Sequence, residues 1–317
     1  MKHVIYPEAT VTVTASSEDA NYPATNLTDN DYRKKVWKAN SGVQTATLRC
    51  AISGTSEVVA LFGTNAETAI CSITLDSAEK ALVAAAAGDI GGGLVSIPCS
   101  GHSLSQSDVV VINGTTNYDG VHILPTQAAG DVDHFIITAT FVAETFAITD
   151  TVCEVIETTT HDLETTAQTY DQFWQEYTEQ TAAHKATIKL TAATGETVEA
   201  GIFKAGDMLT IANPQYGVDK KPKSFSIKKE LRNGALYTKA GEVIKEISYS
   251  MIVTHAQAED VYDLFKAIDP SPFAMLIADS VSDDNLWAFF GAFNGEPSIS
   301  FSYPQHADVS VSFLEAV

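Results

Sequence analysis

The chain has 317 residues, 45% of them hydrophobic, and a formal net charge of −21. It is long enough for two or three domains with separate cores, and its composition is that of a folded chain. The negative charge disfavours binding to nucleic-acid phosphates, and no apolar run approaches the roughly 20 residues that a membrane-spanning helix needs. The N-terminal stretch lacks the apolar core of a signal peptide, so we expect assembly in a cytoplasm.

Residue usage favours β-structure. Thr, Ala, Val, Ser and Gly are abundant, and long helices rich in Leu, Lys and Glu are missing. The cysteines are widely spaced and form no CxxC or CxH pattern, which predicts reduced side chains that pack as small hydrophobes. They are Cys50, Cys71, Cys99 and Cys153.

The first 83 residues carry the signals of short strands and turns. Residues 4–6 and 10–15 predict two strands, and 58–62 is a continuous apolar strand. Residues 45–52 alternate between apolar and polar types, which predicts a strand with one buried face. Ala- and Gly-rich residues 81–93 then predict a flexible linker.

Residues 84–155 contain no Lys or Arg, which indicates a separately acquired insert. Short apolar strands are predicted at 109–112, 121–124 and 135–140. Asn113-Gly114 and Asp119-Gly120 supply the positive φ angles that tight hairpins need. After the insert, alternation resumes at 187–191 and 198–205, so the flanking parts predict one interrupted β-sandwich.

The last part of the chain predicts strands around one helix. Residues 247–253 alternate, Thr254 is a candidate N-cap, and Asp269-Pro270 ends the helix. The helix has its apolar stripe at Val261, Leu264, Phe265 and Ile268. Four further strands are predicted at 274–278, 287–293, 298–303 and 309–314.

Several short sequence segments resemble segments of tail proteins from long-tailed phages. The insert, with GHSLSQSDVVVINGTTNYDG at 101–120, is similar to small β modules inserted in such proteins. Four segments of the flanking parts resemble, in order, those of discoidin-like (galactose-binding-like) jelly rolls: 22–27 (YPATNL), 59–65 (VALFGTN), 170–174 (YDQFW) and 199–206 (EAGIFKAG). The final domain resembles the split β-sandwich of tail-tube and distal-tail proteins, which form rings.

The predicted fold is therefore mainly β. A discoidin-like, interrupted jelly-roll β-sandwich comprises 1–83 and 156–216, with a small inserted β module at 84–155. A tail-tube-like, ring-forming β-sandwich with one α-helix follows at 217–317.

No catalytic motif was found, so we expect no catalytic, cofactor-binding or metal-binding residues and no cofactor. His102, His122 and His134 are not at ligand spacings and predict surface or turn positions. Asp29-Asn30-Asp31 offers oxygens for calcium but lacks further ordered carboxylates, which favours a solvated acidic turn. The pairs Glu8/Glu18 and Asp131/Asp133 could suggest glycoside hydrolysis. The sequence does not indicate that either pair is buried, as would be needed to raise the pKa of one carboxyl group.

Two clusters could mediate binding. Lys220, Lys221, Lys223, Lys228 and Lys229 form a basic cluster, either as a protected strand edge or as a subunit contact with an acidic neighbour. Aromatic residues form the second cluster, which predicts core packing or, alternatively, sugar stacking. They are Tyr32, Trp37, Tyr170, Phe173, Trp174 and Tyr177.

The resemblance implies a structural, non-enzymatic protein of the virion tail. The most specific expectation is a distal tail protein at the tail-tip hub. Such a protein would form a homohexameric ring between the tail tube protein and the tip or fibre proteins. The alternative is a carbohydrate-binding adhesion module that holds a host glycan. An enzyme that acts on surface polysaccharide is disfavoured because no catalytic constellation was found.

Overall fold

The computed structural model describes residues 3–30, 35–75, 79–125, 132–164, 170–212, 217–230, 236–241, 243–277, 287–301 and 304–316. These residues form antiparallel β-structure with one helix, α1 (His255–Ile268), and one 3₁₀ turn (Ala24–Thr28), which confirms the mainly β prediction. Their first strands are β1 (His3–Glu8), β2 (Thr10–Ala15), β3 (Trp37–Lys38), β4 (Thr45–Ser53), β5 (Ser56–Phe62), β6 (Ala66–Leu75), β7 (Lys80–Ala81), β8 (Gly88–Gly91), β9 (Leu94–Pro98), β10 (Val109–Asn113), β11 (Gly120–Ile123), β12 (His134–Thr138) and β13 (Thr151–Asp162). The later strands are β14 (Gln172–Gln180), β15 (His184–Ala192), β16 (Glu199–Ala200), β17 (Ile202–Thr210), β18 (Asp219–Ser224), β19 (Ile227–Glu230), β20 (Leu236–Lys239), β21 (Val243–Thr254), β22 (Phe273–Leu276), β23 (Ala288–Phe293), β24 (Ser298–Ser300) and β25 (His306–Glu315).

The largest sheet has ten strands in the order β14-β5-β17-β1-β22-β23-β25-β21-β18, with β24 beside β25. Strand β1 lies in its middle: Val4 pairs with Leu209 of β17 on one side and with Met275 of β22 on the other. One continuous sheet thus joins strands of the first and last predicted domains.

The second sheet has eight strands in the order β11-β10-β13-β6-β15-β4-β2, with β7 beside β13. Its inner face packs on the β5 end of the large sheet, where Leu48 and Ile188 share a core with Leu61 and Phe203. This sandwich follows from alternation, because Ala46, Leu48, Cys50 and Ile52 of β4 point to one face.

A second core lies on the opposite face of β5. Phe62 and Trp174 there share a cluster with Leu276 and Phe290, and the Phe62 and Phe290 rings are 5.7 Å apart. Strands distant in the sheet order meet here, so the large sheet curls around this core. Strand β5 is buried on both faces, which explains its continuous apolar sequence.

The third core lies under the helix. Val261 and Leu264 of α1 pack against Met251 and Phe313 of the sheet. Thr254 caps the helix in a capping box with Gln257, and the helix ends at Ile268, which confirms the predicted boundaries. No helix of the described part is long and apolar enough to cross a membrane.

The insert has a core of its own, which contains Ile97, Val110, Tyr118 and Phe135. The positive φ angles predicted at Gly114 and Gly120 are confirmed, at 92° and 128°. Tight hairpins are not formed there, because both glycines lie at the ends of one longer connection between β10 and β11. The insert and the sandwich share β13, which pairs with β10 at one end and with β6 at the other. Independent folding of the three predicted domains stays a prediction.

The predicted linker at 81–93 is wrong. Strand β8 lies within it, and Ala87 is buried and donates its N–H to the carbonyl of Glu144. Small side chains allow this backbone to pack closely against its neighbours, and pairing with a distant segment leaves no local signal.

The separate core of the insert leads to a first prediction. Ala81 and Thr151 are direct cross-strand partners, so replacing residues 82–150 by Asn-Gly closes a two-residue hairpin. The sandwich core contains no residue of this segment. We expect cooperative thermal unfolding, with Tm changed by no more than about 5 °C, measured by calorimetry.

The matched control replaces residues 82–151 by the same dipeptide, which shifts the register by one residue and should lower Tm. Loss of the cooperative transition in the in-register variant would show that the insert is part of the sandwich core.

An ion pair between a buried lysine and an exposed glutamate gives a second prediction. Lys204 is 6% exposed, and its ammonium donates to Glu8 Oε2 at 2.7 Å and lies 5.8 Å from the Phe290 ring centre. Glu8→Gln should lower the free energy of unfolding by about 2 kcal/mol, since it leaves a buried charge, whereas adding Lys204→Met should restore most of that loss. Urea unfolding measures both variants. A loss that is equal in the single and double variants would refute this account.

Candidate subunit-interface site

The predicted lysine cluster is divided between two β elements. Lys220, Lys221 and Lys223 lie on β18, the outermost strand of the large sheet, whereas Lys228 and Lys229 lie on β19. The side chains of the last two are outside the described part of the structure. The structure therefore places three of the five lysines on one open edge.

Strand β18 pairs with β21 on one side and, within the described residues, with no strand on the other. Pro222, which has no N–H to donate, lies in its middle opposite Lys245. Proline and lysine on an outer strand discourage uncontrolled pairing of sheet edges. The edge thus has the features of a protected strand, one of the two interpretations that the sequence left open.

Carboxylates of the same chain compensate part of the lysine charge. Lys221 bonds to Asp219 at 2.7 Å, which raises the pKa of Lys221, and Lys223 lies 3.8 Å from Glu246. Burial, with the nearby Lys245 charge, lowers the pKa of Lys220. Lys220 is thus the lysine of β18 in the least favourable electrostatic surroundings, and a carboxylate from outside would stabilise its charge.

A two-stranded ribbon follows the edge strand. Strands β19 and β20 pair with each other and, in the described ranges, with neither large sheet. Its base is closed by a bond from the Gly241 N–H to Ser226 Oγ at 3.0 Å. A Cβ at Gly241 would lie 2.3 Å from the Phe225 carbonyl oxygen, so only glycine fits there. We name residues 225–241 the ribbon arm.

The ribbon arm was not predicted. The sequence does contain a signal for it, because Asn233-Gly234 lies between the two strands and is a strong hairpin dipeptide. Large apolar side chains lie at the base of the arm: Phe225, its first residue, is 54% exposed, and Val243, just beyond its end, is 56% exposed. An isolated two-stranded ribbon is marginally stable in water, so contact with another surface would stabilise it.

The aromatic cluster is part of the core. All five of its described members are buried, so they cannot stack on a sugar, and the core interpretation is confirmed. They are Trp37, Tyr170, Phe173, Trp174 and Tyr177; Tyr32 is outside the described residues.

The predicted histidine positions are only partly correct. His102 is buried and its Nδ1 accepts from the Leu104 N–H, because the turn folds the backbone around the ring. Burial also lowers the pKa of His122. His134 is exposed on β12, so the three rings occupy different surroundings.

The carboxylates singled out in the sequence have separate partners. Asp29 accepts from Lys35 at 2.6 Å, Glu8 pairs with Lys204, and Glu18 accepts from the Ala24 N–H. Asp133 accepts from the Ser100 hydroxyl. Asp31 and Asp131 are outside the described residues.

The cysteines are free and buried, as predicted. Burial raises the pKa of the thiols of Cys50, Cys71 and Cys99, which makes them unreactive. Among the described residues, no three His, Cys, Asp or Glu side chains group closely enough to hold a metal ion.

A polar cavity of about 590 Å³ lies beside the sandwich. Asn65, Tyr170, Asp171 and Glu196 line it together with the Glu67–Glu164 pair. A hydrogen bond between these two carboxyl groups raises the pKa of Glu67. Hydroxyl, amide and carboxylate groups of this kind can hydrogen-bond a neutral polyol.

No family model, curated protein or solved structure matches the chain.

The lysines of β18 and β19 give a third prediction. Changing Lys220, Lys221, Lys228 and Lys229 to Glu should abolish self-association without loss of the folded monomer, because the contact would then oppose like charges. Light scattering after size exclusion measures the mass, and circular dichroism the fold.

The matched control is Lys266→Glu on α1, which reverses an exposed lysine away from this edge and should change neither readout. Unchanged self-association in the four-lysine variant would leave edge protection as the role of the lysines.

Proposed function

We propose that this chain is a structural subunit that assembles into a homo-oligomeric ring. The observation that carries the proposal is the ribbon arm, which pairs only with itself among the described strands and adjoins an open sheet edge. Identical subunits that present an arm and a complementary edge make head-to-tail contacts, and such contacts close into rings when the rotation permits.

The energy of such a contact would come from two sources. The open side of β18 has backbone groups that another strand could pair, and Phe225 and Val243 offer apolar surface next to it. The lysines of β18 would face carboxylates of a strongly acidic neighbour, which reduces repulsion between subunits of net charge −21.

Within this class we propose a non-enzymatic protein of a long-tailed phage tail, located in the virion. The sequence resemblance supports the distal tail position, with the tail tube protein and the tip or fibre proteins as partners. A hexameric ring at the tail-tip hub is the specific form of the proposal. The mainly β fold with one helix is compatible with it.

The second candidate is a carbohydrate-binding adhesion module. The polar cavity beside Asn65 and Tyr170 favours it, because its lining offers several hydrogen-bonding groups. Its ligand would be a host glycan bound without stacking on the buried aromatic cluster. Glycan-array binding that Asn65→Ala and Glu196→Gln abolish, by a protein that stays monomeric, would put this function first.

Removal of the ribbon arm gives a fourth prediction. Ser226 and Gly241 are already hydrogen-bonded, so a short Gly-Ser link can replace residues 227–239. The described cores contain no residue of this segment, so the monomer should fold with Tm changed by no more than about 3 °C. Negative-stain microscopy should show rings for the intact chain and none for the variant.

The matched control is the chain with residues 82–150 replaced by Asn-Gly, which should still form rings. Rings formed by the armless variant would refute the role of the arm. An intact chain that stays monomeric at every concentration would refute the ring itself.

A further inference from the structure

The insert covers a polar face of the sandwich. Cross-strand pairing places Thr14, Arg49, Thr187 and Ser72 in one row on the outer face of the eight-stranded sheet. Thr187 is 1% exposed and Ser72 is fully buried, although both are hydrophilic and face away from the sandwich core. Thr14, at the end of the row, is exposed. Something therefore covers the middle of the row.

Charged groups of the insert and its base reach this face. Asp119 of the insert forms an ion pair with Arg49, and Glu79, just before β7, pairs with Lys185 at 2.9 Å. Burial raises the pKa of Glu79, but the bonds from Lys185 and Thr151 outweigh it, so the pKa is lowered. All four charged side chains are about three-quarters buried, with 23% to 26% exposure.

Apolar packing contributes little to this contact. The core of the insert contains no residue of the sandwich, and the core of the sandwich contains none of the insert. Arg49 Nε and Asn113 Oδ1 are buried without a hydrogen-bond partner, so the polar contact is also incompletely satisfied. A contact made of charges and imperfect hydrogen bonds separates more easily than a packed core.

Strand β13 supplies a hinge. The pairing register shifts between Val155 and Glu157, at the point where β13 passes from the insert to the sandwich. Ile156 lies in this shift and is 45% exposed. A bulge bends a strand and leaves one residue unpaired, so β10 and β11 can turn relative to β6 here without loss of their own pairing with β13.

We propose that the insert is a hinged cover, which turns about the bulge in β13 and reversibly exposes the outer face of the sandwich when its charged contacts weaken. The exposed face would present Arg49, Lys185 and Lys189 beside the hydroxyl groups of Ser72 and Thr187. This device is independent of ring formation, since it uses no residue of the ribbon arm or of β18.

Acid should open the cover. Burial lowers the pKa of His122, which donates its Nε2–H to the Tyr118 carbonyl at 2.8 Å and has Lys189 of the sandwich and Asp119 of its own turn as charged neighbours. The closed state favours neutral His122, and opening would remove the Lys189 charge and part of the burial, so the pKa of His122 would rise toward its ordinary value of 6.5. Closure therefore weakens as the pH falls below that value, and protonation of Glu79 adds to this at lower pH.

The test measures access to the covered row in the full-length protein. Thr187→Cys places a thiol under the cover, and Thr14→Cys places one at the exposed end of the same row. Reaction rates with dithiodipyridine are compared as a ratio of the two variants, which cancels the intrinsic pH dependence of the reagent and the thiol. Thr74→Cys is a second covered probe, because Thr74 is 3% exposed on the same face.

We expect a covered-to-exposed rate ratio that rises at least about tenfold in 0.5 M salt, and again at about pH 5.5. Arg49→Gln should raise the ratio at low salt, whereas Lys35→Gln, which breaks an exposed pair with Asp29, should not. His122→Gln should remove the response to pH and keep the response to salt.

Cys50, Cys71 and Cys99 report the fold in the same experiment, because they are buried within the two separate cores and should stay unreactive throughout. Cys153 is replaced by Ser in every variant, because its thiol contacts Leu75 O across the hinge. A ratio that is constant in salt and acid would overturn the proposal, and so would native cysteines that react in step with the probe. The salt and pH measurements decide the outcome even if Arg49→Gln does not fold.

Discussion

The architecture depends on the position of β1 in the middle of the ten-stranded sheet. Val4 faces the core under the helix, and Ile5 faces the core inside the curl of the sheet. Because β1 pairs with β17 on one side and with β22 on the other, it joins the sandwich to the helical part by backbone hydrogen bonds. Strands from residues about 200 and 270 positions later must be in place before β1 can pair on both sides, so this sheet closes through contacts of high sequence separation.

Local elements were predictable where a periodic pattern had a local cause. The alternation at Leu48, Cys50 and Ile52 predicted β4, and the stripe at Val261 and Leu264 with the Thr254 cap predicted α1. Non-local pairing was not predictable: nothing in the sequence of β5 says that one face meets the second sheet and the other meets β22 and β23. The Ala- and Gly-rich stretch was mistaken for a linker because its order comes from distant partners.

In the candidate site too, local features were predictable from the sequence, whereas the pairing of distant segments was not. The sequence located the lysines, but it could not show that β18 and β19 belong to different sheets, since this depends on which strand each one pairs with. Arg49 and Asp119 are 70 positions apart, and neither belongs to a motif, so no local signal could pair them. The absence of Lys and Arg from 84–155 was the only sequence sign that acidic residues of the insert pair with basic residues of the sandwich.

The charge distribution explains why assembly and cover would rest on different forces. Several basic side chains form ion pairs within the chain, at Lys204–Glu8, Arg49–Asp119 and Lys185–Glu79. Carboxylates outnumber the basic residues, which leaves a net charge of −21. Identical subunits with this charge repel each other, so a ring would need short-range backbone pairing and apolar contact beside the attraction between its lysines and the carboxylates of the neighbour. Salt screens that attraction as well as the overall repulsion, but it leaves the backbone pairing and the apolar contact in place. The contact of the insert with the sandwich is an attraction between opposite charges, which salt weakens. Salt should therefore weaken closure of the cover more than it weakens a ring, because backbone pairing and apolar contact remain in the ring.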